Sequence, residues 1–168
     1  MQQQGVDVIV KMIIRTCQCG VWAFFFLTFY VFDSAPLQAA NIVLSTNTTP
    51  NSEVLTLQID KVEKLAGMKL TLDYPARFLE YKSAQKASAF NAFMQVVNDK
   101  KPGRLILVMA SATGVSGENL KIFELTFSKS AKDLPSSLQI APVECQLMSE
   151  SLQEIPCKAS PLSVSTAQ

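Results

Sequence analysis

The stretch Leu65-Ala66-Gly67-Met68-Lys69-Leu70-Thr71-Leu72-Asp73-Tyr74-Pro75 constrains the chain more than any other. Met68, Leu70, Leu72 and Tyr74 alternate with Lys69, Thr71 and Asp73, and one apolar face at period two predicts a half-buried β-strand. Pro75 has no N–H for a sheet ladder and biases Tyr74 toward extended backbone, so a corner is expected there. Phe78, Leu79 and Tyr81 then restart an apolar pattern on a following strand.

The same signature recurs past position 40. Ile42–Ser45 reads as a short first strand, and Glu53–Asp60 alternates with Leu55, Leu57 and Ile59 on one face. Phe90–Val97 reads as another strand. Pro102-Gly103 suits the middle of a type II turn. Arg104–Ala110 is apolar on both faces, as for a central strand or one whose outer face meets a partner. Thr113–Asn119 reads as a flexible turn, and Leu120–Phe127 as a strand burying Phe123, Leu125 and Phe127. Leu138–Ala141 and Pro161–Ser165 complete the set. Short strands at near-regular spacing, without a 3.6-residue apolar period, predict an all-β fold. The expectation is an eight- to nine-stranded antiparallel β-sandwich of jelly-roll topology.

The N-terminus differs. Lys11 and Arg15 precede an unbroken apolar run, Val21–Phe32, which Asp33-Ser34-Ala35-Pro36 interrupts before Leu37-Gln38-Ala39-Ala40. Basic residues, a short apolar core, a breaker and small residues are the layout of a secretory signal peptide. The run is shorter than the roughly 20 residues of a bilayer span. Residues 1–40 are therefore expected to be a signal peptide, with Met12 as an alternative start and cleavage after Ala39 or Ala40. Residues 41–168 form the sandwich domain, secreted to a periplasm or beyond the cell. A membrane enters only if the segment stays uncleaved.

Cleavage would remove two of the four cysteines, Cys17 and Cys19. Cys145 and Cys157 remain in an oxidising compartment, where a disulfide is the simplest reading. A metal site is disfavoured by the absence of His and of CxxC spacing.

Net charge is +1 and charged residues are 17% of the chain, so no nucleic-acid surface is indicated. With no His, a nucleophile such as Ser111 or Ser116 would need a Lys or carboxylate base. Asp73, Glu80, Asp99 and Glu124 show no spacing that selects a glycosidase pair. Asp99 and Glu118 lack the dense acidic loop of a tight Ca²⁺ site. No catalytic residue, metal or cofactor is expected, and the chain is read as a non-enzyme.

The segments LAGMKLTLDYPARFLEYKSA and GRLILVMASATGVSGENLKIFELTFS resemble the bacterial cohesin domain. The shared elements are a strand running into the Asp73-Tyr74-Pro75 corner with Leu79-Glu80 after it, then Ala110-Ser111-Ala112, the Gly114–Gly117 turn and the Leu120–Phe127 strand. The resemblance covers roughly residues 53–164. It implies a non-catalytic module that docks a dockerin-type protein on a flat sheet face, in an assembly linked to polysaccharide breakdown. The implied partner-binding residues are Lys69, Thr71 and Asp73, together with Ile106 and Val108 if Leu105, Leu107 and Met109 face the core. The competing reading covers Ile106 and Val108 with the domain's own loops. Cohesins also resemble carbohydrate-binding modules, for which Tyr81, Phe90 and Phe93 are the candidate platform rings. A third implication is a structural subunit of an envelope or secretion apparatus.

Overall fold

A computed structural model describes residues 39–49, 51–130 and 135–165. The expected signal peptide, with its Met12 start, lies outside the described residues except for Ala39 and Ala40. Ala40 already belongs to the fold: it is buried, and its N–H donates to the Pro156 carbonyl at 2.8 Å. The first strand thus includes Ala40.

Among the described residues there are nine strands: β1 (Ala40–Thr48), β2 (Ser52–Asp73), β3 (Leu79–Lys86), β4 (Met94–Asn98), β5 (Arg104–Lys129), β6 (Ser137–Ser149), β7 (Glu154–Ile155), β8 (Cys157–Ala159) and β9 (Leu162–Ser165). The architecture is the expected all-β sandwich. Its organising feature is that β2 and β5 each serve both layers. The first half of β2 pairs with β1 and with the second half of β5, where Leu55 faces Leu125. The second half of β2 pairs with the first half of β5 and with β6, where Leu70 lies between Leu107 and Cys145. Between the halves the register shifts at Leu57/Gln58, Val62/Leu65 and Leu65/Gly67, and Lys64 takes φ 53°. Such bulges bend a ladder and raise its twist. One layer thus runs β3-β5-β2-β1-β8, and the other β4-β5-β2-β6, with β7 and β9 on β6.

Alternation along these halves supplies the core. Leu55, Leu57 and Ile59 come from one layer and Met68, Leu70 and Leu72 from the other. Leu105, Leu107, Met109, Phe123, Leu125 and Phe127 join them in one buried cluster. Each such side chain contributes roughly 1.5–3 kcal/mol relative to exposure. The corner forms where Pro75 stops β2: the Tyr74 N–H donates to the Gly103 carbonyl at 2.9 Å, and the Tyr74 ring lies 5.1 Å from Phe127. The Pro102-Gly103 turn closes with Arg104 N–H donating to Lys101 O at 3.0 Å and Gly103 at φ 83°.

Several expectations need correction. The segment Phe90–Val97 is not one strand. Ser88–Phe90 forms a 3-10 turn, Phe93 follows it, and β4 starts only at Met94. Side chains three apart point to opposite faces of a strand, whereas a helical turn puts them on one side. Both rings are inside, with centroids 5.2 Å apart, and the turn is what achieves this.

Thr113–Asn119 is not a free turn but the paired middle of β5, set against Lys61, Val62 and Leu65 of β2. A Cβ on Gly114 would lie 2.5 Å from the Lys64 carbonyl, so this close crossing requires glycine. The pairs are antiparallel except for β1 with β8, which is parallel. The chain reaches the outer edge of β1 only after turning back through the β6–β7 hairpin.

Cys145 and Cys157 form the expected disulfide, with Cα atoms 5.9 Å apart. Because Cys145 sits on β6 and Cys157 on β8, the bond ties the two layers together as well as closing the hairpin.

Glu53 lies on the inward side of β2, in phase with Leu55, and is buried. Its Oε1 is 3.1 Å from Lys129 Nζ, and its Oε2 accepts a 2.7 Å hydrogen bond from the Thr48 hydroxyl. Lys129 also donates to the Thr49 carbonyl at 2.8 Å.

Candidate docking face

The outer side of the β6-β2-β5-β4 layer is built from residues out of phase with the core. Register defines its rows. Gln146, Lys69, Val108 and Val96 lie side by side, as do Glu144, Thr71, Ile106 and Asn98. A further row runs Met148, Gly67, Ala110, Met94, and Asp73 faces Arg104 at the corner end.

The face is chemically divided. Toward the corner its charges are already paired. Arg104 grips Asp73 through two 2.7 Å hydrogen bonds, from Nε to Oδ1 and from Nη2 to Oδ2. Lys69 Nζ donates to Glu144 Oε1 at 2.7 Å, and the Thr71 hydroxyl to Glu144 Oε2 at 3.1 Å. The Arg104 guanidinium holds the Asp73 carboxyl below its usual range, and the hydrogen bonds from Lys69 and then Thr71 do the same for Glu144.

Away from the corner the face is apolar and uncovered. Val108 is 37% exposed, Val96 64%, Met94 78% and Met148 39%. Ile106 is half-buried beside them, and the small Gly67 and Ala110 leave the surface shallow between the two methionines.

The expected alternation of Leu105, Leu107 and Met109 inward with Ile106 and Val108 outward holds, and no described loop covers Val108. Lys69 and Asp73 sit on the face as part of its ion pairs. Thr71 points outward but is buried beside Glu144, with its hydroxyl already engaged, so it offers little to a partner. The sequence reading missed Met94, Val96 and Met148. The signal for Met94 and Val96 was their own alternation with Gln95 and Val97. Met148 required the β6 pairing.

The proposed sugar platform does not form. Phe90 is 0% and Phe93 3% exposed, so neither ring can stack on a saccharide. Tyr81 is half-buried edge-on against Phe127, and burial raises its hydroxyl pKa. Among the described residues no aromatic side chain is exposed.

The candidate carboxylates are scattered. Glu80 pairs with Lys82 at 2.7 Å, Glu124 with Lys121, and Glu118 with Lys61 at 3.1 Å, while Asp99 lies in the β4–β5 turn. Ser116 Oγ accepts the Lys64 N–H, and Ser111 lies beside Thr113. Among the described residues no three His, Cys, Asp or Glu side chains converge as a metal group.

No protein-family model matches the sequence, and no curated protein matches it. Solved structures do. The sixth cohesin of scaffoldin B from Acetivibrio cellulolyticus, in complex with a mutant Cel5 dockerin, superposes with TM-score 0.65 at 15% identity, covering 77% of this chain and 100% of that one. A non-cellulosomal cohesin from the archaeon Archaeoglobus fulgidus gives TM-score 0.66 at 14% identity, covering 78% and 93%. The cohesin module of a Clostridium perfringens family 33 glycoside hydrolase gives 0.64 at 11% identity, covering 76% and 96%.

The chain has the cohesin fold. At these identities the likeness speaks for architecture. The chemistry on the β6-β2-β5-β4 layer is this chain's own.

Proposed function

We propose that this protein is a non-catalytic docking module. It holds a helical, dockerin-type protein partner on the outer face of the β6-β2-β5-β4 layer. The observation that carries the reading is the exposed strip Val108, Val96 and Met94, bordered by the Lys69–Glu144 and Arg104–Asp73 pairs. An apolar centre with a polar rim is the anatomy of a protein interface. Cohesins of the same fold from Acetivibrio cellulolyticus, Clostridium acetobutylicum and Clostridium thermocellum are found in complexes with dockerins, which supports the kind of partner. The scaffoldin and glycoside hydrolase in the names of two neighbours support a place in an assembly linked to polysaccharide breakdown.

Export is part of the proposal. The Cys145–Cys157 disulfide supports an oxidising destination. Cleavage after Ala39 is favoured over cleavage after Ala40, because Ala40 is a buried residue of β1. N-terminal sequencing of the protein recovered from the host tests this, and a mature chain beginning before Val31 would reject it.

The docking test compares wild-type and Val108→Asp baits for affinity capture from the native envelope and extracellular fractions. A dockerin-type protein captured by the wild type and lost with the variant, at unchanged far-UV circular dichroism, is the expected result. Capture unaffected by Val108→Asp, or a variant that unfolds, would reject the reading.

A further inference from the structure

Among the described residues, three that are not glycine have a left-handed backbone: Lys64 (φ 53°), Asn119 (φ 52°) and Leu152 (φ 60°). That region crowds Cβ against the following carbonyl, and asparagine is one of the few side chains that tolerate it. Asn119 is therefore of a suitable type. Lys64 sits where β2 bulges between the layers, and the crossing dictates its conformation. Leu152, in the β6–β7 hairpin, is neither. Its side chain is also 83% exposed, more than any other large apolar residue described. The isolated domain thus carries both a strained backbone and an apolar side chain in water, with little packing to offset either.

The turn is nevertheless firmly held. Leu152 N–H donates to Ser149 O at 3.0 Å, Ser149 N–H to Gln153 O at 2.8 Å, and Gln153 N–H to Ser149 Oγ at 3.1 Å. Glu150 fastens the turn to the strand crossing. Its N–H donates to Lys64 O at 2.9 Å, and its carboxylate takes Lys64 Nζ at 3.0 Å and the Gly114 N–H at 3.1 Å. A hairpin loop that ends on a left-handed residue ordinarily places glycine there. Here the same frame holds out a leucine.

We propose that Leu152 is an affinity-determining anchor of the docking face, a preset apolar knob that the dockerin-type partner of that face covers. This rests on the docking reading and extends its footprint to the β6–β7 hairpin. Backbone strain persists where the surroundings hold it, and it clusters at sites that bind. A turn already fixed in place also loses little freedom on association.

Continuity selects the occupant. The turn follows directly on Met148, which forms with Gly67, Ala110 and Met94 the row of the face farthest from the corner. The paired charges Asp73–Arg104 and Lys69–Glu144 lie toward the corner, so the exposed apolar strip runs toward this hairpin. One leucine is too small for an interface of its own, and Met148, its exposed apolar neighbour along β6, already belongs to the face.

The test uses Leu152→Gly and Leu152→Asn, since both residues adopt this backbone readily. The full chain is titrated calorimetrically with the dockerin-type protein captured by the wild-type bait, alongside Val108→Asp. Both Leu152 variants are expected to keep a urea midpoint at or above the wild-type value and to bind about tenfold more weakly, the loss of one apolar contact. Wild-type affinity in these variants while Val108→Asp abolishes binding overturns this proposal and leaves the docking reading standing. A lowered urea midpoint also overturns it, because Leu152 would then be a packing residue of the domain. Binding that Val108→Asp leaves unchanged, or a wild-type bait that captures no dockerin-type protein, rejects the docking reading and the anchor with it.

Discussion

Replacing Lys129 with Met isolates the one buried ion pair among the described residues. Lys129 Nζ lies 3.1 Å from Glu53 Oε1 and donates to the Thr49 carbonyl at 2.8 Å, and the Glu53 side chain is fully buried. At an effective dielectric of about 20, opposite charges at that separation attract by about 5 kcal/mol. Desolvating both groups offsets much of this in the intact protein, so the pair's net stabilisation is small. Removing only the cation leaves a buried carboxylate whose one remaining partner among the described residues is the Thr48 hydroxyl. The expected loss is about 3–5 kcal/mol.

With a urea m-value of about 2 kcal/mol per molar, the midpoint should fall by roughly 2 M. Adding Glu53→Leu to Lys129→Met removes the orphan and should recover most of the loss. Equilibrium urea denaturation followed by circular dichroism measures all three proteins. A Lys129→Met loss below about 1 kcal/mol, or a double variant no better than the single one, would refute the idea that burial makes this pair costly to break.

Converting Cys145 and Cys157 to Ser should cost about 3 kcal/mol from loop entropy, seen as a lower thermal midpoint under non-reducing conditions and as no difference from reduced wild type. Asp73 and Glu144 have folded-state pKa values below the ordinary 3.8 and 4.5, so their contribution is present at neutral pH and is lost as pH falls through the folded values. Stability should be level down to about pH 5 and decline below about pH 4, with a shallower decline in Asp73→Asn and Glu144→Gln. Mild hydrogen peroxide should convert Met94 and Met148 to sulfoxides while sparing buried Met68 and Met109, as read by peptide mass mapping.

Period-two alternation made the core legible in the sequence, because a half-buried strand writes its inward face directly into residue order. Leu70, Leu107 and Phe127 were placed correctly on that basis alone. Pro75 and Pro102-Gly103 marked real corners because proline and glycine restrict or free the backbone locally. Continuity was not legible. β2 and β5 each read as two strands, since bulges at Lys64 and around Gly117 break the alternation without ending the pairing.

Phe90 and Phe93 misled for a related reason: two rings three residues apart satisfy neither strand face until a 3-10 turn gathers them. Glu53 was in phase with the core, but a carboxylate inside depends on Lys129, far along the chain. The docking face was half visible. Val108 followed from the parity of its own strand, whereas Met148 and the Glu144 clasp on Lys69 exist only through the β2–β6 register.

A protein partner received on the outer β6-β2-β5-β4 face can be trapped by photo-crosslinking, with a photoreactive side chain placed in turn at Val96 and, on exposed β1 of the opposite layer, at Val43. Irradiated in the native extracellular and envelope fractions, the probe at 96 is predicted to form a discrete adduct with a dockerin-type protein and the probe at 43 none. Adducts from 43 alone, or equal adducts from both sites, would contradict the account.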